Sequence, residues 1–170
     1  MIEPFTLWGN TVDVDAIEKK LNGLDWDKYT FRQKTFSVHS NTKTIPLLWN
    51  EKPNHDVIVK HPHYTLFEQE LSEIQTKFPP GRLHTAILIN LPAGLSIPTH
   101  RDAAQHFKLY NRIHIPIITN PGCLFTVGRS TIHMKRGEMW EIDNDNQSHS
   151  VVKGGTEERI HLLIDYFVFN

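Results

Sequence analysis

The stretch Pro98-Thr99-His100-Arg101-Asp102 sets a histidine and an aspartate two residues apart. In an extended segment such residues project to the same side, so an imidazole and a carboxylate there can chelate one metal ion. A third donor has to come from elsewhere in the chain. His149, in Gln147-Ser148-His149-Ser150-Val151, is the candidate. Two histidines and one carboxylate on one face of a metal leave other positions open, a donor set suited to non-haem Fe(II). Ten residues beyond His149 stands Arg159, with Gly154-Gly155 between them. This spacing predicts a hairpin: a strand holding His149, a glycine turn, and a return strand starting near Arg159. Such a return brings a guanidinium beside the metal, where it can grip a carboxylate through two parallel hydrogen bonds.

A His-x-Asp pair is a weak signal in a chain with 11 histidines. His61 and His63 have the same spacing, but Pro62 between them indicates a loop and no third donor is evident. His106 follows Asp102 closely and competes with it as a ligand candidate. The distances and the surrounding motifs add the weight. The segment from about Leu83 to Phe167 resembles the aspartyl/asparaginyl β-hydroxylase-like family of Fe(II)/2-oxoglutarate-dependent dioxygenases, whose motif proline 3-hydroxylase-type enzymes share. The matching pieces are Pro98 to Asp102, Arg112-Ile113-His114-Ile115-Pro116, Gly137-Glu138-Met139-Trp140-Glu141-Ile142-Asp143, His149-Ser150-Val151 and Arg159 to Asp165. The resemblance implies that His100, Asp102 and His149 bind iron and that Arg159 holds the distal carboxylate of 2-oxoglutarate. Arg112 and His114 become candidates for contacting a cosubstrate or substrate carboxylate. The reaction it implies is decarboxylation of 2-oxoglutarate to succinate and CO₂ with O₂, coupled to hydroxylation of an unactivated C–H bond. The substrate is expected to be a free amino acid or a peptidyl side chain. Charge supports an arginine in such a site. Fe(II), one aspartate and dianionic 2-oxoglutarate sum to one negative charge, which a guanidinium cancels, and an uncompensated buried charge costs several kcal/mol.

The whole chain sets bounds on this reading. Its 170 residues and 19.7 kDa fit one domain with a real core. A net charge of −1 gives no electrostatic reason to expect nucleic acid or an anionic membrane as partner. Cys123 is the only cysteine, which suits a reducing compartment, and no apolar run approaches the length of a membrane span. The expectation is a cytoplasmic protein.

The elements that must position the site follow from the pattern. Residues 1–81 are expected to form a helical and strand support, and residues 82–170 a jelly-roll core within one domain. Asp13 or Asp15 can cap a short helix to about Leu21, ended by Asn22-Gly23. Residues 25–34 are ambiguous. Residues 35–49 are rich in strand formers, with a hairpin turn expected at Asn41-Thr42-Lys43, and Val57-Ile58-Val59 is a possible short strand. His39, Thr42 and Thr44 are candidates for the substrate mouth. Phe67, Leu71 and Ile74 recur at helical spacing from Tyr64 to Phe78, with Glu68, Glu70 and Glu73 off that stripe. From Arg82 onward, eight short strand-like pieces at high density predict a sandwich or jelly roll. The family resemblance implies a double-stranded β-helix, so the fold class is mainly β with supporting helices. Strand parity separates Arg112, His114 and Pro116 from Ile113, Ile115 and Ile117. It likewise separates Arg159 and His161 from Ile160, Leu162 and Ile164. The polar faces would line a pocket between two sheets. The competing function is a cupin-like metal protein without oxygenase activity, such as an isomerase or small-ligand binder.

Overall fold

A computed structural model describes residues 3–9, 12–49, 57–102, 108–152 and 156–169. Ten strands form two sheets. They are β1 (Phe5–Leu7), β2 (Lys43–Leu48), β3 (Gly81–Leu91), β4 (Ile97–His100), β5 (Asn111–Ile118), β6 (Leu124–Val127), β7 (Ser130–Ile132), β8 (Trp140–Ile142), β9 (His149–Val152) and β10 (Arg159–Val168). The major sheet has the order β1-β8-β5-β10-β3-β2 and the minor sheet β4-β9-β6-β7, antiparallel throughout. The result is a cupin-like jelly roll. The N-terminal region supplies both outermost strands of the major sheet together with the helices α1 (Asp15–Leu21), α2 (Phe31–Thr35) and α3 (Tyr64–Gln75).

The alternation within β5 and β10 creates the two environments. Ile113, Ile115, Ile117, Ile160, Leu162 and Ile164 all face the helices and are fully buried in the main core with Ile17 and Leu21 of α1 and Phe67, Leu71 and Ile74 of α3. The opposite face of these strands looks toward the minor sheet and carries Arg112, His114, Arg159, His161 and Asp165. A smaller apolar cluster between the sheets contains Leu91, Ile97, Phe125, Val127 and Val151. Burying two isoleucine rows on one side commits the polar rows to the other, because the side-chain period of a strand is 2.

Four expectations for the elements change. Residues 35–49 hold one strand, not a hairpin. α2 and a 3₁₀ turn at Ser37–His39 occupy the first part, and both the backbone N–H and the hydroxyl of Thr42 bond to the His39 carbonyl before β2 begins. Pro46 is tolerated inside β2 because β2 is an edge strand. Residues 57–59 form no strand, although Lys60 makes an isolated bridge to Leu48. Glu70 is buried, its carboxylate paired with Lys20 of α1, so one acidic residue of α3 faces inward. Finally, β9 and β10 lie in different sheets. The expected turn residues Gly154 and Gly155 lie outside the described residues.

Candidate metal centre and active site

His100 ends β4 and stands opposite His149 of β9 in register. Asp102 follows two residues later. The three donors gather within 4.8 Å of one another, the only such group of three or more among the described residues. Asp102 Oδ1 lies 3.9 Å from His100 Nε2 and Oδ2 3.8 Å from His149 Nε2. The Nδ1 of His100 is 2.8 Å from the Pro98 carbonyl, which places the ring proton on Nδ1 and leaves the Nε2 lone pair toward the cluster. Burial lowers the His149 pKa to about 4 against the pull of Asp102, so its imidazole is neutral and able to donate at neutral pH.

Asp102 is held from two sides. The Asp102 N–H donates to the Asn144 carbonyl at 3.1 Å, and Asn144 Nδ2 donates to Asp102 Oδ2 at 3.0 Å. Arg112 Nη1 donates to the same oxygen. Burial by itself would raise the Asp102 pKa, but Arg112, His149 and the Asn144 amide hold the carboxyl well below its usual range. Arg112 in turn makes a two-point pair with Asp165, Nε to Oδ1 at 2.8 Å and Nη2 to Oδ2 at 2.9 Å. Arg112 and Asp165 are direct cross-strand partners on β5 and β10. The guanidinium expected among the carboxylate-binding groups is thus engaged by two carboxylates of the protein itself.

Arg159 is the contrasting case. It is 2% exposed, and no carboxylate among the described residues forms an ion pair with it. Its Nη2 donates to His161 Nδ1 at 2.8 Å, and its guanidinium lies 5.6 Å from the centre of the Phe125 ring. Burial lowers the Arg159 pKa to about 10. Burial and the neighbouring Arg159 also push the His161 pKa well below its usual value, which makes that imidazole a neutral acceptor. A neutral partner fixes the guanidinium without cancelling its charge. A buried cation of this kind calls for an anion, and no described carboxylate supplies one. His114 is buried and neutral, its pKa lowered by burial and by Arg159, and its Nδ1 has no hydrogen-bond partner among the described residues.

His100, Asp102, His149, His114, Arg159 and His161 line one cavity with Phe125 and His39. Its volume is about 30 Å³, room for only a few waters, so an organic acid entering it must displace lining side chains. A larger cleft of about 710 Å³ runs between α1 and the neighbouring ends of β2, β3 and β10, lined by Lys19, Trp26, Lys43 and Glu158 among others. It reaches none of the three donors, so size does not mark the chemical site here.

Six of the sequence-derived candidates therefore stand together: His100, Asp102, His149, Arg159, Arg112 and His114. His39 lies on the same cavity, while Thr42 is spent on the His39 carbonyl. His61 bonds the Trp49 carbonyl through Nε2 and joins no donor cluster. His106 lies outside the described residues. Strand parity in the sequence already sets His161 on the pocket face with Arg159, whereas Asp165, Asn144 and Arg32 have no stated role there. Asp165 shares the parity of Arg159 and was accessible to the same reasoning, whereas Asn144 and Arg32 give no comparable signal.

The profile of the aspartyl/asparaginyl β-hydroxylase family matches residues 9–168. The chain belongs to this family. A curated relative is L-proline cis-4-hydroxylase from Rhizobium meliloti (strain 1021), 27% identical over 93 residues, which are 55% of this chain. The match spans 33% of that relative's length. Solved structures share the fold. A 2OG-Fe(II) oxygenase family oxidoreductase from Burkholderia pseudomallei superposes with a TM-score of 0.66 at 14% identity, covering 92% of this chain and 78% of that one. HygX from Streptomyces hygroscopicus, with nickel and 2-oxoglutarate bound, gives a TM-score of 0.60 at 12% identity over 97% of this chain and 83% of that one. No helix among the described residues is long and apolar enough to cross a membrane.

Proposed function

We propose that this chain is an Fe(II)/2-oxoglutarate-dependent dioxygenase that hydroxylates an unactivated C–H bond of a small substrate. His100, Asp102 and His149 would hold the iron, and Arg159 the distal carboxylate of 2-oxoglutarate. The observation that carries the reading is the conjunction of two features in one cavity: a two-histidine, one-carboxylate donor set, and a buried guanidinium with no carboxylate partner among the described residues. The donor set fits Fe(II), because three protein ligands leave room for a bidentate 2-oxo acid and O₂. A cupin-like isomerase or ligand binder has no need of an unpaired cation at that place. Family membership and the activity of the proline-hydroxylating relative support the same class.

Iron, when bound, supplies the activation of O₂. The balanced reaction takes substrate R–H, O₂ and 2-oxoglutarate to R–OH, succinate and CO₂. The protein's part is binding and placement. Asn144 and Arg112 fix Asp102 as an ionised ligand, and His161 aims the Arg159 fork. His114 offers an unpartnered ring nitrogen to the cosubstrate. Arg112 then acts as a positioning residue for Asp102, because its own charge is already matched by Asp102 and Asp165. The Asp102–Arg112–Asp165 pairing places the metal-binding carboxylate, while the lining side chains around it must move to admit an organic acid.

The test is anaerobic addition of Fe(II) and then 2-oxoglutarate to the purified protein. A visible metal-to-ligand charge-transfer band that saturates with 2-oxoglutarate is the expected result. Iron binding without such a band would return the non-oxygenase metal protein to first place.

A further inference from the structure

A second buried guanidinium lies at this site. Arg32 of α2 is 9% exposed, and no carboxylate among the described residues forms an ion pair with it. Its Nη2 donates to His39 Nε2 at 2.9 Å, whereas its Nη1 is buried without a hydrogen-bond partner among the described residues. That bond fixes the tautomer of His39. Since Nε2 accepts from a guanidinium, the ring proton sits on Nδ1. The Nδ1 is also buried and without a partner. The His39 ring lines the metal cavity and meets the His100 ring edge to face at 5.1 Å between centroids. Two buried donors beside an unmatched positive charge leave an acceptor missing, and a negatively charged one.

Charge over the whole site gives the same answer. Among the described residues, Asp102 and Asp165 face three guanidiniums: Arg32, Arg112 and Arg159. His39 and His161 each accept a hydrogen bond from a guanidinium, so both rings are neutral, and imidazoles that ligate a metal do so in the neutral form. The protein groups thus carry one net positive charge. Fe(II) and dianionic 2-oxoglutarate cancel each other, so that charge remains when metal and cosubstrate are both in place. The two free cations have different neighbours. Arg159 acts on His114 and His161, while Arg32 acts on His39 and is in turn influenced by Arg112, Asp102 and Asp165. One cosubstrate carboxylate on Arg159 therefore leaves Arg32 unmatched.

We infer that Arg32 and His39 form the subsite for the α-carboxylate of the primary substrate, which is a free amino acid and not an internal residue of a peptide. The inference rests on the dioxygenase reading above, since the charge count includes the metal and 2-oxoglutarate. An interior peptide residue has no carboxylate to bring to Arg32 unless its side chain supplies one. A free amino acid always does. Thr44 Oγ1, buried and unpartnered on β2 beside the cavity-lining Ile89, is a further donor on the same side.

The experiment uses the full chain loaded with Ni(II) and 2-oxoglutarate, titrated calorimetrically with standard L-amino acids and, in parallel, with their C-terminal amides. At least one free acid is expected to bind, with its amide much weaker. Arg32→Gln should weaken that acid roughly 30-fold or more, about 2 kcal/mol, while leaving the amide unchanged. Arg32→Lys should recover part of the loss, because it keeps the charge without the fork. A purely structural role for Arg32 would weaken acid and amide alike. Acids and amides binding equally in the parent, or no free acid binding at all, would overturn the subsite, as would full acid affinity in Arg32→Gln. The titration of 2-oxoglutarate into Ni(II)-loaded parent is the reference. If it fails, the dioxygenase reading fails and takes this inference with it; if it succeeds, a negative acid–amide comparison counts against the subsite alone.

Discussion

The arginines and histidines of the cavity differ by partner, and partner decides role. Arg112 is matched by two carboxylates and Arg159 by a neutral imidazole, although both are buried. Replacing Arg159 with Ala should weaken 2-oxoglutarate binding by about 30-fold to several-thousand-fold, the range for stranding one member of a buried charge pair. Metal affinity should change little, and Arg159→Lys should fall between. Anaerobic titration of 2-oxoglutarate into iron-loaded parent and variant measures this, and equal affinities would remove Arg159 from the cosubstrate site. The buried imidazoles make a separate prediction. Burial holds the pKa values of His114 and His161 well below the usual 6.5, so the unfolded chain binds more protons than the folded one beneath that pH. Stability should therefore fall as pH drops below about 6.5, and keep falling toward the folded values, by up to roughly 1.4 kcal/mol per pH unit per imidazole. Urea midpoints between pH 7.5 and 5.5 should show this slope, and His161→Gln should make it shallower. A flat profile in the parent would mean that these rings are not held neutral by the fold.

At the scale of elements, β10 carries part of the site and pairs along its whole length with β3, the other long strand, and that pairing is tight at the far end. A Cβ added at Gly81, which pairs with Val168, would lie 2.2 Å from the Phe167 carbonyl oxygen and 2.6 Å from the Tyr166 ring. The backbone oxygen cannot swing away as a side-chain tip can. Gly81→Ala should destabilise the protein by about 1–3 kcal/mol, the range for overpacking, measured by thermal or urea unfolding. Unchanged stability would mean that this strand end can separate. The elements also show what sequence made legible. The isoleucine rows of β5 and β10 announced which face carries the chemistry, because period-2 alternation is a local property. The helix from Tyr64 was legible from the Phe67, Leu71 and Ile74 stripe. The route of the chain after His149 was not. Glycines between two strands suggest a hairpin, and only the pairing of β10 with β3 and β5, distant in sequence, draws it into the opposite sheet. Arg32 was hidden for a related reason: its value depends on meeting His39 and the metal cavity, and its own stretch shows no periodicity.

For the molecule as a whole, the proposed metal ligands and the cosubstrate clamp belong to different sheets. His100 and His149 sit on the minor sheet, with Asp102 just beyond it, whereas Arg159 sits on the major sheet. The Asp102–Arg112 pair already links the two. A dicarboxylate that chelates the metal at one end and meets Arg159 at the other would link them again. Ligands that bind only the folded state stabilise it by mass action, about 2.7 kcal/mol at one hundred times the dissociation constant. For a chain of this size that is roughly 5–11 °C in melting temperature. Ni(II) alone should give such a shift, since the same donors accept it without redox chemistry. 2-Oxoglutarate alone should give little, because without metal it retains only its Arg159 end. Both together should exceed the sum, as each completes the other's site. In Arg159→Ala the Ni(II) shift should persist while the increment from 2-oxoglutarate shrinks. Replacing His100 and His149 together should abolish the Ni(II) shift. Thermal melts of these proteins with and without each ligand provide the measurement. Simple additivity, or a Ni(II) shift that survives loss of both histidines, would mean that metal and cosubstrate do not meet across the two sheets.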